Sequence, residues 1–184
     1  MDCTHIPEIS CFYSDTIASH ILNPSAHFEY EMILVTDGSA QVQIHDRTYP
    51  LQRGSLLFIS RLEQHQFCIV KEPYCRYVLS VSSDLLLSHL NEPRLASIFM
   101  QRPEYFSHVV QLNEEQLAYF LPFFQKSADE YEKQPDFYTL QSIAMLLSIL
   151  ISLYRLYPNA FPMEDSSSLS AAVLNAQIYV SRHF

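Results

Sequence analysis

The sequence predicts an α+β chain: a β-barrel or sandwich in the first half, helices in the second. Three observations predict it. Several short strand-like runs, spaced about 8–12 residues apart, lie between Thr16 and Val81. From Asn113 onward the apolar residues recur at helical spacing instead. Finally, 48% of the 184 residues are hydrophobic, enough to build the core that such a chain needs.

The elements follow in order. Tyr30 to Val35 is apolar on both faces, as in a strand covered on both sides. Ala40, Val42 and Ile44 then alternate with Ser39, Gln41 and Gln43, as in a strand with one wet face. Asp37-Gly38 between them predicts a hairpin turn, because both residues tolerate positive φ. A short strand with Pro50 follows, and the proline places it at an edge or a kink. "SLLFIS", "HQFCIVK" and "CRYVLSVS" are three further strands. Asp84 to Leu90 is a short apolar helix or turn.

Asn113 opens a long helix. Gln116 three residues on completes a capping box. Leu117, Phe120, Leu121, Phe124, Ala128 and Tyr131 form one stripe along it, and Pro122 is expected to kink it. Pro135-Asp136 breaks the chain. A second helix, Phe137 to Tyr157, is apolar nearly all round, so it needs cover on more than one face. One small domain can hardly supply that, and the sequence therefore predicts a homodimer. Tyr157 to Ser168 reads as a linker, and "AAVLNAQIYVSRHF" as a closing amphipathic helix that nothing ends.

Charge and cysteines narrow the function. The net charge of -9, from 11 basic and 20 acidic residues, argues against nucleic-acid binding by this piece alone, which would need cations for phosphate. Cys3, Cys11, Cys68 and Cys75 form no CxxC pair and read as free thiols. The N-terminus has no basic start followed by an apolar run. The most apolar stretch, Ile143 to Tyr154, falls short of the roughly 20 residues of a membrane span. The expected compartment is the cytoplasm, with no membrane partner. GxSxG, HExxH and the phosphate-binding loop are all missing, and Gly38 and Gly54 are the only glycines. No catalytic residue and no cofactor are expected. Glu114-Glu115 reads as a complement to a helix N-terminus.

One constellation could carry chemistry. His27, Glu29 and Glu31 share parity, so on a strand they face one way. His65 arrives 34 residues after Glu31, framed by Gly54 and Ser60. These segments resemble the paired motifs of the cupin β-barrel. The resemblance maps His27 onto the second histidine of the first motif, Glu31 onto its glutamate and His65 onto the histidine of the second motif. Ser25 stands where the first histidine would fall, and Ser60 and Leu62 replace the proline and glycine of the second motif. Two imidazoles and a carboxylate can hold Zn, Fe or Ni. The plainer reading is a set of hydrogen-bonding side chains in a barrel whose metal site has decayed.

The whole layout resembles the AraC/XylS-type transcription regulators. "HFEYEMILVTDGSAQVQIHDRTYPLQRGSLLFISRLEQHQF" is similar to their barrel core, "YCRYVLSVSSDLL" to the strand and helix leaving it, and "AAVLNAQIYVSRHF" to the first helix of their DNA-binding domain. The resemblance implies a cupin-like barrel (a double-stranded jelly roll) at 1–90 and a helical dimerisation region at 91–160. It also implies a linker with the first helix of a truncated helix-turn-helix domain at 161–184. Its function would be to sense a small-molecule effector, with a sugar compatible with the aromatic content, and to control DNA binding by the full-length protein. His27, Glu31, His65, Tyr30, Tyr49 and Arg76 are the candidate ligand-binding residues. The alternative is a stand-alone cupin metalloenzyme, an isomerase or dioxygenase, using His27, Glu31 and His65 as metal ligands.

Overall fold

The computed structural model describes residues 8–16 and 22–162. The linker from 163 and the closing helix at 171–184 lie outside the described residues. Six strands form one sheet: β1 (Ile9–Thr16), β2 (Tyr30–Ile44), β3 (Arg47–Gln52), β4 (Ser55–Ile59), β5 (His65–Val81) and β6 (Val109–Gln111). Their order is β1-β5-β2-β4-β6, with β3 paired to β2. Four α-helices follow the strands or lie among them: α1 (Ser83–His89), α2 (Pro93–Met100), α3 (Glu114–Lys133) and α4 (Tyr138–Leu156). The architecture is α+β, as the sequence predicts.

Two long strands, β2 and β5, form the spine, and both change face midway. Before the change Glu31, Ile33 and Val35 point one way; after it Ala40, Val42 and Ile44 do. The register shifts between Val35 and Ala40 supply the odd residue that makes this swap. Gly38 sits in the irregularity at φ 72. A Cβ there would collide with the carbonyl oxygens of Lys71 and Pro73 on β5. The Asp37-Gly38 signal is therefore a bulge inside a continuous 15-residue strand, not a hairpin. Local chemistry suits both outcomes, and pairing with β5 decides between them. Likewise "HQFCIVK" and "CRYVLSVS" are one 17-residue strand. Pro50 lies on β3, which among the described residues pairs only with β2, in keeping with an edge position.

The bulge lets the sheet curl over an apolar interior. Ile33, Val35, Ala40, Val42, Ile44, Leu51, Leu57, Ile59, Ile69, Tyr74 and Val78 fill it. The opposite face carries Tyr30, Met32, Leu34, Leu56, Phe58, Leu79 and Val81, which pack against the helices. Phe99 of α2, Phe120 and Phe124 of α3 and Leu150 of α4 are fully buried in that layer. Each such side chain stabilises the fold by about 1.5–3 kcal/mol.

Asn113 caps α3 by the predicted reciprocal box with Gln116. The helix continues through Pro122 to Lys133. Helix α4 extends the apolar run of Ile143–Tyr154 to 19 residues, and by length and mean hydropathy of 1.5 it could cross a membrane. It instead buries Ile143, Leu146, Ile149, Leu150 and Leu153 against the core. Helix α2 and strand β6 are additions that the sequence reading does not contain.

Candidate functional site

The segment before β2 lies antiparallel to the start of β5. Ser25 and His65 exchange backbone hydrogen bonds at 2.9 and 3.0 Å, and the Leu62 N–H donates to the His27 carbonyl at 2.7 Å. Leu62 adopts φ 57 to close this turn. The pairing brings His27 beside His65, with ring centroids 5.2 Å apart. Glu31 opens the interior face of β2, opposite Ser80 on β5. Ligand atoms of His27, Glu31 and His65 lie within 4.8 Å of one another.

The partners fix the tautomers. His65 Nδ1 lies 2.9 Å from the Glu63 carbonyl, so that nitrogen carries the proton. Its Nε2 lone pair accepts from the Ser25 hydroxyl at 2.8 Å. His27 Nδ1 donates to the Glu29 carbonyl at 3.1 Å. His27 Nε2 then faces Glu31 Oε2 at 3.2 Å. The distance suits a hydrogen bond but the approach does not, and this buried nitrogen is left without a directed partner. Glu31 accepts from the Ser80 hydroxyl at 3.0 Å.

The electrostatics match. The nearby Glu31 carboxylate raises the His27 pKa against the opposing effect of burial. Burial pushes Glu31 up, but His27 and Ser80 outweigh it, so its pKa is lowered. The cluster is an acid–base pair beside a second imidazole, with the His27 and Glu31 side chains 23% and 16% exposed and His65 buried. The three residues fit a divalent cation only in part: His27 Nε2 and Glu31 Oε2 are available, while the Ser25 hydroxyl occupies the His65 lone pair. If Ser25 turned aside, these three residues would hold the ion, and it would supply Lewis acidity at an open position.

The structure does not bring the other candidates together with these three. Tyr30 lies on the helix-facing side, its ring 5.6 Å from Phe99. Tyr49 belongs to a second polar network, donating to or accepting from His108 Nδ1 at 2.9 Å. Arg76 shares the interior face but sits four residues from Ser80 along β5.

That second network was not read from the sequence. Glu63, 6% exposed, accepts from His108 Nε2 at 2.9 Å, Arg102 Nε at 3.1 Å and the Ser60 N–H at 2.8 Å. Burial pushes its carboxyl up, but His108, Arg102 and Ser60 hold it down at about 2. Arg102 also caps the end of α2 through the Ile98 and Gln101 carbonyls. A cleft of about 210 Å³ opens beside it, and one of about 160 Å³ beside His65. The larger cleft of about 730 Å³ lies between β1, β5 and α3, on the far side of the sheet from the cluster.

No curated protein matches the chain. Among solved structures, ToxT K231A from Vibrio cholerae aligns over 93% of this chain and 65% of its own length, with a TM-score of 0.56 and 9% identity. That likeness shows a shared fold. A Cupin 2 conserved barrel domain protein from Salinispora arenicola aligns over 45% of this chain and 71% of its own, with a TM-score of 0.38 and 14% identity. The plu4264 protein from Photorhabdus luminescens aligns over 47% and 75%, with a TM-score of 0.39 and 20% identity. The model of the AraC-like ligand binding domain matches residues 7–150, well over half of the chain. The chain is therefore an effector-binding regulatory domain, and it belongs to the AraC-like ligand-binding domain family.

Proposed function

We propose that this chain senses a small molecule for a DNA-binding transcription regulator of the AraC type. The effector enters the barrel and meets His27, Glu31 and His65. It then biases how two copies present DNA-binding domains attached beyond this region. The observation that carries the reading is the buried, undirected Nε2 of His27 facing a charged Glu31, next to a second imidazole. A buried polar atom without a partner is costly, and a ligand that supplies one resolves it. We divide the chain into a barrel at 1–90, a dimerising region at 91–160 and a linker with the start of the DNA-binding domain at 161–184, and place it in the cytoplasm.

The dimer rests on α4. Phe137, Leu140 and Ile151 are exposed, and Leu140, Ala144 and Ile151 fall at i, i+4 and i+11 on one stripe. A second copy of this helix would cover that stripe. Sedimentation at micromolar concentration tests it: the chain is a dimer, and Leu140→Asp with Ile151→Asp makes it a monomer. A wild-type monomer contradicts the dimer.

For the effector, a small-molecule screen by thermal shift should find compounds that stabilise the wild-type chain and not His27→Gln or Glu31→Gln. Stabilisation that both variants retain places the effector elsewhere. A second reading, a cupin metalloenzyme, draws on the 4.8 Å convergence of the same three residues. Stoichiometric Zn, Fe or Ni in the purified chain, lost in His27→Gln, would favour it.

A further inference from the structure

Among the described residues three strands pair on one side only, and their edges differ. Strand β3 carries Arg47 and Pro50, and β6 is three residues long. Strand β1 has eight residues, paired with β5 in unbroken register from Ile9 against Val81 to Thr16 against Tyr74. It contains no lysine, proline or bulge. Proteins blunt exposed edges with such devices, because a row of unpaired N–H and C=O groups is a template for another strand. Farther along, Leu22 and Ser25 bond to β5 again, at Phe67 and His65, rather than to the outer side of β1.

Burial points to the same edge. Phe12 and Tyr13 project from opposite faces of the sheet. In the row of Phe12, Val78 and Ile33 are buried; in the row of Tyr13, Leu34 is. Yet Phe12 is 45% and Tyr13 48% exposed. Both faces lose their cover at β1, the pattern of an outermost strand. Helix α3 packs on the face of Tyr13, where the Cys11 thiol donates to the Phe124 carbonyl at 3.5 Å. The cleft of about 730 Å³ lies there, lined by Phe12, Tyr13, Tyr77, Tyr131, Asp129 and Glu132, and by no lysine or arginine. Lys133, outside the lining, pairs with Asp129 at 3.3 Å. Asp15 on β1 is exposed as well.

We infer that β1 takes an added strand from a partner protein: an extended peptide segment in which apolar and basic residues alternate. Its backbone pairs with the outer N–H and C=O groups of β1. Its apolar side chains cover Phe12 on one face. Its basic side chains lie on the other, with their stems along the tyrosine rings and their charges at Asp129 and Glu132. The alternation follows from the strand period, since the two faces beside β1 differ in chemistry. A second copy of this chain fits worse, because it brings a further net charge of -9 to an acidic cleft. The inference is independent of where the effector binds.

Fluorescence anisotropy of the 184-residue chain at physiological salt tests this with three labelled peptides as long as β1. One alternates lysine with valine, and one glutamate with valine. The third is the lysine peptide with every backbone amide methylated, which keeps the charge and removes the ladder donors. The lysine peptide should bind saturably below about 1 mM, and the other two at least tenfold more weakly. Its binding should slow amide exchange tenfold or more in Ile9–Thr16 and leave β3 unchanged. Asp129→Lys with Glu132→Lys, both exposed on α3, should weaken the lysine peptide tenfold or more and strengthen the glutamate peptide. No saturable binding, equal binding of the methylated peptide, unslowed exchange in β1, or indifference to the charge reversal overturns the inference. Binding that improves tenfold in a chain lacking residues 1–7 would overturn it too, assigning the edge to the chain's own start. A dimer that the lysine peptide splits would assign the edge to a second copy and overturn it likewise.

Discussion

Two polar clusters meet in the turn before β5, and they are built on opposite terms. Around Glu63 every strong group has its partner: His108, Arg102 and the Ser60 N–H converge on one carboxylate, and Tyr49 completes His108. Around Glu31 the terms are loose. His27 Nε2 has no directed partner, and its side chain is 23% exposed against 5% for Glu63. A satisfied buried network locks the fold, whereas an unsatisfied one leaves room for something else. One residue serves both, since the Glu63 carbonyl orients His65 while its side chain ties the turn to Arg102 after α2 and His108 before β6. The contrast separates what holds this protein together from what it holds for a ligand.

The largest expected effect comes from unbalancing the satisfied cluster. Arg102→Met leaves Glu63 short of its main cation and frees the end of α2, so it should destabilise the chain by about 3 kcal/mol or more in urea unfolding. A loss under about 1 kcal/mol would show that the network is dispensable.

Acid should act next. Glu63 has its pKa depressed from 4.5 to about 2. A depressed carboxyl contributes stability that is present above its unfolded pKa and is lost as pH falls toward the folded one. The stability measured in urea should therefore drop between about pH 5 and pH 2, by about 3 kcal/mol from this group. In Glu63→Gln that part of the pH dependence should vanish; an unchanged profile would assign it to other carboxylates.

Ser25→Ala should have a smaller effect on stability, about 1 kcal/mol, from one lost hydrogen bond. It frees the His65 lone pair, so Zn²⁺ should bind about tenfold tighter than to wild type. Equal affinity in calorimetry would show that the serine hydroxyl does not guard the site.

Much of the loose cluster was legible in the sequence. The parity of His27 and Glu31 placed them together, and the spacing from Gly54 brought His65 across. Ser25, read only as a missing histidine, turns out to bond His65. The satisfied cluster was invisible because its members come from distant segments: Arg102 is 39 and His108 45 residues from Glu63. No local pattern reports such a pairing. Strand β6, with three residues, is too short to show a period. Tyr30 was misplaced toward the site because its run is apolar on both faces, which leaves its direction undecided until the helices cover one side. The bulge at Gly38 carries the same local signal as a turn.

The most direct test is equilibrium urea unfolding of Glu31→Gln at neutral pH, beside wild type. If His27, Glu31 and His65 are kept for a ligand, the ligand-free variant should stay within about 1 kcal/mol of wild type. A loss of 3 kcal/mol or more would contradict the account, because it would make the loose cluster as structural as the tight one.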